Sequence, residues 1–116
     1  MVKSWEGKII RSDIIRGHLD SIILRLILEK DRYGYEISKE ISVRTNDRFR
    51  IKEATLYAVF QRLNRKELIE SYYGSITHGS KRKYYRITPL GKAYLHEIAK
   101  EWQETKEIID LFMEGL

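Results

Sequence analysis

A chain of 116 residues with 42% hydrophobic content is the size of one domain with a modest core, small enough that a partner subunit would complete it. It contains no cysteine, which excludes disulfide scaffolds, thiolate zinc sites and cysteine nucleophiles. No run approaches the ~20 apolar residues of a membrane span, and the N-terminal MVKSWEGKIIRSD lacks the apolar core of a secretory signal, so a cytoplasmic protein with no membrane partner is expected.

The net charge of +5 is unevenly placed: residues 1–43 sum to +1, residues 44–88 to +7 and residues 89–116 to −3. A concentrated basic middle suits a polyanion, because each Lys or Arg set against a phosphate releases condensed counterions.

From a cap at Ser12 or Asp13, the apolar positions Ile15, Leu19, Ile22 and Leu26, widened by Ile23 and Ile27, predict a core helix over roughly residues 13–30. DRYGYEISKEIS starts a second helix near Tyr33 or Gly34 that ends around Arg44, with Ile37 and Ile41 on one face. RTNDRFRIK reads as a connector, and a third helix follows from about Glu53 to Lys66. Its Leu56, Val59, Phe60 and Leu63 cluster on one side. Ala54, Ala58, Gln61 and Arg65 lie opposite, a face small enough for close approach to a groove and able to offer Gln and Arg to base edges or phosphates.

ESYYGSITHGSKRKYYRIT alternates around the turn residues His78-Gly79-Ser80 and reads as a β-hairpin. Lys81, Arg82, Lys83 and Arg86 on its second strand suit a phosphate backbone or a minor groove. Tyr84 and Tyr85 must face opposite sides, one into the core. Thr88-Pro89 then reads as N-cap and first residue of a long helix. In that helix Gly91, Leu95, Ile98, Trp102, Thr105, Ile109 and Phe112 recur at four and three, a seam that wants another helix. His18, His78 and His96 have no metal-ligand spacing, so no catalytic site, metal or cofactor is expected.

Three helices, a basic hairpin and a long helix make a mainly α fold with a small β wing: a winged helix-turn-helix domain over 1–88, with an N-terminal extension 1–11, and a dimerisation helix over 89–116. Through YGYEISKEI, ATLYAVFQRL, LIESYY and KRKYYRITPLGKAYL the chain resembles the PadR family of bacterial transcriptional regulators, over roughly residues 12–102. It departs from the family pattern at Ala58, where proline is common, and at Glu67, where glycine usually precedes Leu-Ile.

The resemblance implies a homodimer that binds double-stranded promoter DNA at an inverted-repeat operator and represses transcription until an effector loosens it. The short, single C-terminal helix resembles the small branch of the family, which lacks a separate effector domain and some of whose members bind planar aromatic compounds between subunits. Carried over to this chain, it points to Thr55, Tyr57 and Gln61 in the groove, with Arg62 and Arg65 as flanking phosphate or base contacts. Tyr35, Lys39, Lys81, Arg82 and Lys83 are candidates for the DNA backbone. Leu95, Ile98, Trp102, Ile109 and Phe112 are assigned to the dimer interface, and Trp102 also to effector binding. The alternative is a winged-helix module for protein contacts without DNA binding, since fold does not fix function.

Overall fold

The computed structural model describes residues 12–77 and 80–116. In chain order these form α1 (Ser12–Ile15), a 3-10 turn (Arg16–His18), α2 (Leu19–Glu29), β1 (Arg32–Tyr33), α3 (Gly34–Arg44), α4 (Glu53–Arg65), β2 (Ile69–Thr77), β3 (Ser80–Ile87) and α5 (Pro89–Met113). The extension 1–11 and the expected turn residues His78 and Gly79 lie outside the described residues.

The single first helix expected over 13–30 is divided. Gly17 falls in the 3-10 turn, where its weak helix preference favours a break, and the hydroxyl of Ser21 donates to the His18 carbonyl at 2.8 Å. Ser12 stands inside α1 rather than capping it. The buried stripe holds Leu19, Ile23, Leu26 and Ile27 as expected and widens to Leu24, whereas Ile15 and Ile22 are only partly covered. The cause is that α2 is the central helix, in contact with α3, α4, β3 and α5, and is therefore buried on more than one side.

β1 has no counterpart in the sequence reading. Two residues are too few for a periodic signal, yet Arg32 pairs with Tyr85 and Tyr33 with Tyr84, making a three-stranded antiparallel sheet in the order β1-β3-β2. Arg32 is 7% exposed and fully engaged: its Nε donates to the Leu26 carbonyl at 2.8 Å and its Nη2 to Glu29 at 3.1 Å. Arg44 also binds Glu29, and Arg25 lies 3.4 Å from it, so one carboxylate ties the end of α2 to β1 and α3. Hydrogen bonding from Arg44, against some desolvation, takes the Glu29 pKa from 4.5 to about 2.

α3 and α4 begin and end as expected within a residue or two. At the end of α4, Glu67 N donates to the Asn64 carbonyl and Leu68 N to the Leu63 carbonyl, both at 3.0 Å, a Schellman closure that needs a left-handed residue. Glu67 supplies it at φ 61°. This is the position where the sequence departs from glycine, and a side chain there costs about 1 kcal/mol. Glu67→Gly is therefore expected to raise stability by about that amount, read as a higher denaturant midpoint with an unchanged m-value. A lower midpoint would mean that the Glu67 side chain contributes more than its backbone costs.

α5 opens as the sequence reading expects, with the Gly91 amide donating to Thr88 Oγ1 at 2.9 Å and Pro89 at the first helical position. Its first half packs on α2 and β3, and residues 101–116 are exposed. No helix among the described residues is long and apolar enough to cross a membrane.

Candidate nucleic-acid interface

α4 separates its two sides as its spacing requires. Leu56, Val59, Phe60 and Leu63 are buried, and Phe60 stacks on Tyr85 of β3 with ring centroids 3.9 Å apart. That contact fixes the helix against the wing. It also settles the paired tyrosines: Tyr85 faces the core, where burial raises its pKa, and Tyr84 faces the other side of the sheet.

Ala54, Ala58, Gln61 and Arg65 are exposed on the outward side, with Tyr57 beside them. Tyr57 meets Phe60 edge-on at 5.6 Å, which limits the positions its ring can take. A cleft of about 190 Å³ between α4 and the wing is lined by Tyr57, Gln61, Asn64, Ser71 and Lys83, so outward-facing α4 residues and wing residues converge there. Lys81 and Lys83 are exposed, and the Lys83 ammonium lies 5.9 Å from the Tyr85 ring. Tyr35 is 66% exposed in the first turn of α3, and Lys39 is exposed one turn on.

Two of the sequence-derived assignments change character. Arg62, expected to flank the DNA site, is paired within its own chain: its Nε and Nη2 donate to Asp20 of α2 at 3.3 and 2.5 Å, and that carboxylate raises its pKa. Arg62 thus tethers α4 to α2. Thr55 is half-buried, in a cleft with Arg16, Arg50 and Lys52. These three basic side chains escaped the sequence reading, which took the segment of Arg50 and Lys52 as connector and placed Arg16 within the first helix. The signal for Arg50 and Lys52 was the run of basic residues in RFRIK, placed just before a helix start whose unpaired amides favour an anion, whereas only the fold brings Arg16 beside them.

The long-helix seam divides into two parts. Leu95, assigned to the dimer interface, is 7% exposed because it packs into its own domain core. Ile98 is half-buried, whereas Ile109 and Phe112 are 49% and 76% exposed. Between these parts, a cleft of about 520 Å³ opens between the start of the domain and α5, lined mainly by Ile15, His18, Ile22, Leu28, Leu95, Ile98 and Trp102. His18 meets the Trp102 ring edge-on at 5.1 Å, a pairing that sequence spacing could not show.

Helices α2 to α4 followed by a basic two-stranded wing are a winged helix-turn-helix, a class of fold that offers a helix to a DNA groove. The Transcriptional regulator PadR-like family matches residues 23–97. The chain belongs to that family, whose members regulate transcription and are not enzymes. It is similar to a Lysinibacillus sphaericus protein called uncharacterized protein X, 80% identical over 107 residues that make up 92% of this chain and 98% of that one. Among solved structures, it is similar to a transcriptional regulator from Clostridium thermocellum, at 48% identity and a TM-score of 0.82, covering 88% of this chain and 99% of the other. A PadR family transcription regulator from Clostridium difficile aligns at 39% identity and a TM-score of 0.73, covering 84% and 99%.

Proposed function

We propose that the protein is a ligand-responsive repressor that binds an inverted-repeat operator as a homodimer. The observation that carries this reading is the pairing of an outward, small and polar α4 face with a wing that presents Lys81 and Lys83 beside it. α4 enters the major groove with Tyr57 and Gln61, and Arg65 meets the flanking backbone. Lys81, Lys83, Tyr35 and Lys39 contact phosphates, joined by Arg16, Arg50 and Lys52 at the N-terminal end of α4. Arg62 acts at one remove, by holding α4 through Asp20.

The exposed apolar second half of α5 serves as the dimerisation element, burying Ile109 and Phe112 against a second copy. The cleft at Trp102 has the volume of a small-molecule site and offers an indole face to a planar aromatic effector.

Titration of the protein's own promoter region at two salt concentrations tests the reading. A duplex carrying an inverted repeat with half-site centres about 10 bp apart should bind one dimer, with an affinity that falls steeply with salt. If a single half-site binds with the same affinity and stoichiometry as the full repeat, the symmetric dimer is wrong. Absence of salt-dependent binding would favour a protein-contact module instead.

A further inference from the structure

The three basic residues at the start of β3 are not equivalent. Strand alternation places Lys81 and Lys83 on the side of Tyr85, toward α4, and Arg82 on the opposite side with Tyr84 and Arg86. On that opposite face three tyrosines stand in cross-strand register: Tyr33 of β1 beside Tyr84 of β3, and Tyr84 beside Tyr72 of β2. Tyr33 meets Tyr84 edge-on at 5.5 Å, and Tyr84 stacks on Tyr72 at 5.7 Å. The ladder is closely fitted, since a Cβ at Gly74 would come within 2.5 Å of the Tyr84 ring.

Each end of the ladder carries an arginine on a ring, and their partners differ. Arg86 lies 4.9 Å from the Tyr72 centroid and donates to Glu70 at 3.0 Å, so a carboxylate already takes its charge. Arg82 lies 4.6 Å over the Tyr33 centroid and has no carboxylate partner among the described residues. Tyr33 sits directly before α3 and has Tyr35 near-parallel to it at 6.4 Å. A guanidinium set on a ring keeps its N–H edge available for paired phosphate oxygens, a geometry that the single ammonium of lysine does not reproduce.

We infer that Tyr33 is a positioning residue that presents Arg82 to one backbone phosphate of duplex DNA, at the point where the wing adjoins the start of α3. This rests on the DNA-binding reading and deepens it: the wing contributes one oriented contact as well as diffuse charge. Tyr33 also braces the wing to α3, because β1 pairs with β3 and runs straight into that helix.

Promoter binding by the full chain, measured by fluorescence anisotropy over a salt series, tests the inference with Arg82→Ala, Arg82→Lys, Tyr33→Leu, Tyr33→Phe and the double variant Tyr33→Leu with Arg82→Lys. Arg82→Ala should weaken binding and lower the salt slope by about one unit. Arg82→Lys and Tyr33→Leu should each weaken binding about tenfold at an unchanged slope, because charge is kept and orientation lost. Tyr33→Phe should restore parental binding. The double variant should be no weaker than either single one, and base preference should be unaltered throughout. Parental binding within about twofold by Arg82→Lys, or losses that multiply in the double variant, would overturn the inference while leaving DNA binding intact. Failure of the parent protein itself to bind would remove both. If circular dichroism shows Tyr33→Leu to be unfolded, Arg82→Lys decides alone, because Arg82 is partly solvent-exposed and its replacement leaves the core untouched.

Discussion

Ile109→Glu is expected to dissociate the proposed dimer and to lower affinity for the proposed operator by about 100-fold or more, because independent monomers lose the advantage of two linked half-sites. In a two-fold seam the substitution introduces two carboxylates, each removed from water without a partner, at a cost of several kcal/mol apiece. The isolated fold should tolerate it, since residues 101–116 touch little of their own domain. Sedimentation should therefore show a folded monomer at micromolar concentration. Leu95→Ala provides the contrast: Leu95 is buried within its own chain, so its truncation should cost about 2–5 kcal/mol of fold stability rather than acting first on association. An intact Ile109→Glu dimer would move the interface away from the end of α5, toward the exposed Ile14 and the cleft beside α2.

Gly91→Ala should lower stability by about 3 kcal/mol, at the upper end for inserting one carbon into a closed contact. A Cβ at Gly91 would lie 2.1 Å from the Leu68 carbonyl oxygen and 2.7 Å from Ile87. The carbonyl cannot easily withdraw, because it accepts the Thr88 amide at 3.0 Å, while the Leu68 amide closes the end of α4 at 3.0 Å. One methyl group would thus separate the start of α5 from the α4–β2 junction. Thermal melting should show a midpoint lower by roughly 10 °C, with exposed Lys92→Ala close to the parent. A parental midpoint for Gly91→Ala would mean that α5 can shift along the domain, and the contact would then be adjustable rather than fixed.

Gly91 also shows how local and non-local information divide. Sequence spacing placed it in the apolar seam, and the seam is correct there in the sense that Gly91 and Leu95 are buried. The sequence could not show that this half packs on its own domain, because a heptad pattern records an apolar face and not the surface that covers it. The ends of α4 and α5 were legible for the opposite reason. Thr88-Pro89 and the apolar set on α4 act within one or two turns of their own chain, where spacing and geometry are the same information.

By itself, then, the sequence determined the helices from α3 onward, the hairpin and the burial of one α4 face through patterns repeated over short distances, and the family through the likeness of its motifs. Only the tertiary structure decided which of the charged and aromatic groups remain available. Arg62 looks as free as Arg65 in the sequence, but it is bound to Asp20, 42 residues away. Tyr33 reads as part of a helix start, yet it pairs in a two-residue strand and lies under Arg82 of the neighbouring strand β3. The physical reason is that ion pairs and ring stacking act over a few ångströms between side chains whose separation along the chain is unrelated to their separation in space. They are set when α2, α4 and the sheet close on one core, and no periodicity in any one segment carries them.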